Sequence, residues 1–201
     1  MATRALVDAN VLYSRTLRDW LLMIQVESSG GLYELAWTED ILAEAITRIR
    51  ANNPNFDGGR ITHIRDKITE ILFNGRIADF VIDDSFSGED PKDRHVHAAA
   101  ITGRVDYLIT ADGGFTSPSI NLDKLPYEVH TPDEFFRLVD DSAPHHVRAV
   151  AQKQNEHWKA RPHPKTLPDA LRDAGCNEFA ERVRMHLADI ALEANRHGTR
   201  Y

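Results

Sequence analysis

Four acidic residues stand at places in this sequence where carboxylates could do chemistry. They are Asp8 in "RALVDANVLY", Glu44 in "TEDILAEAITRI", Asp93 in "DPKDRHVHAAAI" and Asp112 in "LITADGGF". The densest stretch is "SGEDPKDRHVHAAAITG", where Glu89, Asp90 and Asp93 precede an apolar helical run. A helix N-terminus has free N–H groups and a partial positive charge, so one or two acids there serve as caps or dipole partners. Three exceed that need. Converged carboxylates raise one another's pKa unless a cation lies among them. Oxygen donors of this kind suit Mg²⁺ or Mn²⁺, whereas zinc favours His and Cys. A centre so built would acidify water, align it on a phosphodiester and stabilise the leaving oxygen.

Such acids must be brought together by the elements that carry them. The apolar run ending at Asp8, and the segments "ADFVID" (78–83), "DYLIT" (106–110) and "YEVH" (127–130), read as buried strands. Between them lie helical patterns: "SRTLRDWLLMIQVES", "TEDILAEAITRIRAN" opening on Thr38 as N-cap, "GGRITHIRDKITEILFNG" and "KDRHVHAAAITG". Alternation of this kind predicts an α/β fold with a central parallel sheet, whose strand C-termini form a ligand-binding rim. Asp8 and Asp112 then fall at strand ends, Asp93 in the first turn of a helix, and Glu44 within one. From residue 141 onward the pattern is helical, through "PHHVRAVAQKQNEHWKA" and "LPDALRDAGCNEFAERVRMHLADIALEA", joined by the proline-rich "RPHPKTLP". The expected division is residues 1–140 as the α/β domain and 141–201 as a helical C-terminal extension. The extension's apolar stripe of Leu171, Phe179, Val183 and Leu187 needs a surface to cover.

Charge is unevenly spread over the 201 residues, whose net charge is −7. Residues 141–201 hold ten Lys/Arg against eight Asp/Glu, leaving −9 for residues 1–140. Bulk charge therefore argues against simple polyanion binding by the first part, and leaves binding bridged by a metal ion. One cysteine, Cys176, allows no internal disulfide and agrees with a reducing compartment. No basic leader, signal-length apolar run or membrane-length stretch stands out, so the expectation is a cytoplasmic protein with no membrane contact.

"LVDANVLY", the acid within "TEDILAEAITRI", "DPKDRHVHAAAI" and "LITADGGF" resemble, in order and spacing, the four acidic motifs of PIN-domain ribonucleases. Within that group the chain is similar to VapC-type toxins of bacterial toxin–antitoxin pairs. The resemblance spans about residues 3–140. It implies a three-layer α/β/α domain and a Mg²⁺- or Mn²⁺-dependent endoribonuclease. It makes Asp8, Glu44, Asp93 and Asp112 the metal-binding acids, with Asn10 and Thr110 as polar neighbours. An RNA substrate, a cognate antitoxin protein and a homodimer are implied by the same resemblance. Two departures stand against it: Lys92 sits where relatives often carry an acid, and "TADGGFTSP" differs from the usual "DF" ending, which keeps Asp90 as a rival to Asp112. Otherwise Asp90 serves as a cap and Glu89 faces solvent.

Each acid alone has an ordinary reading: Asp8 ends a strand, Glu44 sits on a solvated helix face, Asp93 meets a helix dipole and Asp112 marks a turn. Only the ordered set favours ligands. His95 and His97 read as a solvated face, and Arg94 as a surface partner of Asp90. His145, His146, His157 and His163 lack a zinc spacing. Trp20 and Trp37 read as core, while Trp158, beside Lys159 and Arg161, could touch RNA or anchor the extension. A phosphatase with an aspartyl nucleophile would want a second acid where Asn10 stands. A catalytically silent RNA- or protein-binding module is the other rival.

Overall fold

Five residues, Thr3–Val7, form the central strand β1, and its inward positions Ala5, Leu6 and Val7 are shut off from water. The computed structural model describes residues 3–88, 90–118, 120–159 and 165–198. Glu89, and the Arg161 and His163 of the proline-rich joint, lie outside the described residues. β1 leads into the one-turn helix α1 (Ala9–Leu12) and then α2 (Arg15–Glu27), whose N-cap is Ser14. β2 (Tyr33–Ala36) follows, then α3 (Glu39–Asn52), capped by the expected Thr38, and α4 (Gly58–Ile71), capped by Asp57. α5 (Arg94–Gly103), β3 (Tyr107–Ile109), β4 (Glu128–His130) and α6 (Pro132–Ser142) complete the α/β part.

All pairings are parallel, in the order β2-β1-β3-β4, with helices on both faces in the expected three-layer arrangement. Parallel strands need crossover connections, which the helices supply. Because β1 is followed by β2 on one side and β3 lies on the other, the sheet reverses its winding between β1 and β3. A crevice opens at the C-terminal ends of the strands at such a point.

The strand expected at residues 78–83 does not form. Only one parallel bridge, Trp37 to Arg76, extends the edge beyond β2. The chain then turns away through Asp79, which has a positive φ of 59°, and leaves Val81 and Ile82 facing solvent. The edge strand is instead "YELA" at 33–36, where Tyr33 is fully buried and its hydroxyl donates to the Leu21 carbonyl at 2.8 Å. Gly75 is required here, because a Cβ would stand 1.8 Å from the Leu35 carbonyl oxygen.

The C-terminal part folds as α7 (Pro144–Lys159), α8 (Leu167–Asp173) and α9 (Asn177–Gly198). The long helical pattern from Leu167 breaks in two at Gly175, whose φ is +85°. Leu171, Phe179 and Val183 are buried in the same apolar cluster as the sheet, and Leu187 packs against it. Their surface belongs to this chain. Phe179 stacks on Phe136 of α6 at 4.7 Å and meets Trp20 of α2 edge-on at 5.0 Å. Trp20 and Trp37 lie in the core as expected, and Cys176 is buried, with its thiol pushed up to about 12 by burial and by Asp133. Among the described residues no helix is long and apolar enough to cross a membrane.

Candidate functional site

Asp8 is the N-cap of α1 and sits directly past β1, so strand and helix both fix it. One carboxylate oxygen accepts from the Ala9 amide at 2.5 Å; the other accepts from Asn10 Nδ2 at 2.6 Å and the Thr110 hydroxyl at 2.7 Å. Asn10 Nδ2 also lies 3.0 Å from Thr110 Oγ1, and its Oδ1 accepts from the Ala111 amide at 2.9 Å. Thr110 Oγ1 in turn accepts from the Asp112 amide at 3.0 Å. This net clamps the end of β1 to the end of β3, at the crevice. Asp112 caps a short 3₁₀ turn, Gly113–Thr116, through the Gly114 amide at 3.0 Å.

Asp93 arrives from a different segment. The chain enters α5 through a 3₁₀ turn, Pro91–Asp93, and Asp90 caps that turn by accepting from the Lys92 amide at 2.9 Å. Asp93, at the N-cap of α5, makes no side-chain cap bond. Its carboxylate is 9% exposed and packs on Gly114, where a Cβ would fall 2.3 Å from Asp93 Oδ2 and 3.5 Å from Asp112 Oδ1. Gly114 leaves room for this approach, since a side chain there would displace the Asp93 carboxylate.

The acids repel. Burial, followed by the charges of Asp112, Asp90 and Asp8, pushes the Asp93 carboxyl up to about 6, with His95 opposing. Asp8 is also raised, chiefly by burial; the Thr110 and Ala9 hydrogen bonds pull against it, Asp112 adds to it, and Arg48 opposes it. Asp8, Asn10, Thr110, Asp93 and Asp112 are thus gathered at one rim, with Asp90 behind Asp93. Glu44 is linked to the rim through His95, its oxygen 3.7 Å from His95 Nε2, and no charge of its own acts on Asp8 or Asp93.

Three expectations change. His95 is largely covered, and its Nε2 is buried without a hydrogen-bond partner; His97 is buried, 2.7 Å from the Tyr127 hydroxyl. Neither lies on a solvated face, because α5 packs on both sides of its first turn. Arg94 pairs with Asp84 at 2.9 Å, since Asp90 is spent on its cap. Sequence reasoning passed over Arg48, whose charge acts on Asp8. The i,i+4 spacing of Glu44 and Arg48 on α3 was the available signal.

Among the described residues no three His, Cys, Asp or Glu side chains stand close enough together to hold a metal ion as they are placed. In donor chemistry the rim fits a hard divalent cation: carboxylates from three segments, Asp8 and Asp93 buried and Asp112 exposed, carrying repulsion that a cation would relieve. No curated protein and no solved structure matches the chain. A family model described as PIN domain matches residues 4–113, more than half of the sequence and including Asp8, Asp93 and Asp112, and the chain belongs to the PIN domain family.

Proposed function

We propose that the protein is a Mg²⁺- or Mn²⁺-dependent endoribonuclease and the toxin of a toxin–antitoxin pair. The observation that carries the nuclease reading is the approach of Asp8, Asp93 and Asp112 from three segments at the sheet's switch point, close enough for their charges to act on one another. Asp8 and Asp93 hold the ion, and Asp112 and Glu44 complete the cage or orient water; Asp90 is the alternative to Asp112. When bound, the ion supplies Lewis acidity toward a phosphoryl oxygen and an acidified water at neutral pH. Asn10 and Thr110 fix the Asp8 oxygens, so one ligand is set before substrate arrives. Residues 1–140 form the nuclease unit and 141–201 the helical extension. The toxin role, a small antitoxin that occludes the rim, a homodimer and a cytoplasmic setting follow from the motif resemblance alone.

The experiment is cleavage of a mixed small-RNA pool with Mg²⁺, with Mn²⁺ and with EDTA, alongside Asp8→Asn and Asp93→Asn. Discrete products that vanish with EDTA and in both variants are expected. A second reading is a catalytically silent binding module; among the described residues the side chains as placed close no three-ligand cluster. It predicts RNA or protein binding unaffected by metal, and no products from folded, inhibitor-free protein.

A further inference from the structure

Two grooves meet along α2, sharing Ser14, Arg15 and Asp19, and their lining differs from the acidic composition of residues 1–140. The first, about 750 Å³, runs between α2 and the α3–α4 pair. Its charged lining is Arg15, Arg18, Arg60 and Lys67 against Asp19 alone, within a region whose net charge is −9. Tyr13 and Phe56 line it with their rings, and Asn52 and Asn53 with amides. Arg15 and Asp19 also border the second groove, about 740 Å³, whose far wall carries Lys153, His157 and Trp158 of α7. The Trp158 indole N–H donates to the Lys165 carbonyl at 2.6 Å, which fixes the ring against the groove.

α3 connects the first groove to the rim. Glu44, Arg48 and Asn52 recur at i, i+4 and i+8 and so share one ridge, about 12 Å long. Glu44 meets His95 at the rim. Arg48 lies over the Tyr13 ring at 5.8 Å while its charge acts on Asp8. Asn52 lines the groove. From the other side, Tyr13 ends α1, about 7 Å along the helix axis from Asp8.

The cations differ in their freedom. Arg18 is buried and donates to the Leu12 carbonyl at 2.7 Å, so it fastens the end of α1. Arg60 stands 3.7 Å over the Phe56 ring, leaving its guanidinium edge outward. Arg15 and Lys67 pair with Asp19 and Glu70 in exposed contacts, which are weak in water and exchange readily for phosphate.

We infer that a single RNA strand leaving the rim is held in the α2/α3–α4 groove, its phosphates by Arg15, Arg60 and Lys67 and its bases against Tyr13 and Phe56. Cations that track a backbone, interleaved with rings that accept any base, are the chemistry of single-strand binding. The inference rests on the nuclease reading for its substrate, but its test does not require cleavage.

The test is fluorescence anisotropy of a labelled single-stranded RNA of about 12 nucleotides, titrated with the full chain in EDTA over a salt series. The variants are the Arg60→Ala, Lys67→Ala double substitution, Phe56→Ala, and Arg65→Ala as a control on α4 outside the groove. Circular dichroism checks each fold. The double variant is expected to weaken binding about tenfold and to flatten the salt slope by about 1.4, for two lost phosphate contacts. Phe56→Ala is expected to weaken it about fivefold or more. Arg65→Ala is expected to bind as wild type. Equal weakening in the double variant and in Arg65→Ala would reduce the groove to bulk charge and overturn the inference. Absence of RNA binding by wild type, or wild-type affinity in the double variant, would also overturn it. Groove-dependent binding without cleavage in any metal would support the groove while removing the nuclease reading. Metal-dependent cleavage lost in Asp8→Asn, with groove variants binding normally, would remove the groove alone.

Discussion

Asp93 and Asp140 are almost equally hidden from water, at 9% and 7% exposure, yet their carboxyls are displaced in opposite directions. Burial and three neighbouring acids raise Asp93 to about 6. Burial also raises Asp140, on α6, but hydrogen bonds from His186 at 2.7 Å and Arg182 at 3.1 Å, both on α9, outweigh it and hold it below its ordinary value. Neighbours decide what a buried acid is for. At the α6–α9 joint the charge is answered within the protein, and the acid serves the fold. At the sheet rim the hydrogen bonds to Asp8 and the charges of Arg48 and His95 do not offset burial and mutual repulsion, and both acids stay raised.

The sharpest way to break this contrast is to neutralise each acid. Asp93→Asn is expected to lower RNA cleavage by about 10³-fold while leaving metal-free stability at pH 7.5 unchanged or raised by about 1 kcal/mol. Asp140→Asn is expected to do the reverse: cleavage is retained, and urea titration shows a loss of about 2 kcal/mol, because His186 and Arg182 lose their charged acceptor. Equal effects of the two substitutions on either measurement would erase the distinction.

The joint's apolar floor offers the next largest effect. Phe179→Ala removes a fully buried ring from its contacts with Phe136 and Trp20. A loss of about 3–5 kcal/mol in chemical denaturation is expected, with the metal dependence of any residual activity unchanged. A much smaller loss would mean that the C-terminal helices are not part of the cooperative core.

The smallest effect lies in the pH dependence of stability in EDTA, and its sign separates the two regions. Asp93 titrates higher folded than unfolded, so its contribution is fully present below about pH 4 and is lost as pH rises through about 6. Asp140 titrates lower folded than unfolded, so its contribution is present above about pH 4 and is lost as pH falls through its depressed value. Each is expected to contribute about 1 kcal/mol. Thermal melts from pH 3 to 7 should show the upper slope vanish in Asp93→Asn and the lower one in Asp140→Asn.

What the sequence disclosed, and what it hid, follows from where the deciding contacts are made. β1, β3 and β4 were legible as apolar runs, and the acids beyond β1 and β3 were legible because each run stops on a polar residue. Thr38 marked α3 by a local capping bond. β2 was hidden because "YELA" has no strand pattern of its own and is a strand only by its register with β1, Thr3 to Tyr33 and Leu6 to Ala36. "ADFVID" misled for the converse reason: it has the composition of a strand and no free edge to pair with beyond Arg76. The gathering of Asp8, Asn10 and Thr110 depends on parallel pairing across about 100 residues. The covering of His95 depends on tertiary packing, which no local pattern carries.

The contact between Trp20 and Phe179 also has a consequence in time. At a synthesis rate of about 5–20 residues per second, roughly 8–30 s separate the making of the two rings. Until the second is made, Trp20 has Phe136 but lacks its nearer edge-on partner, and α2 begins one short turn away from Asp8. α2 therefore takes on its full packing only near the end of synthesis, when the first turn of the last helix is made.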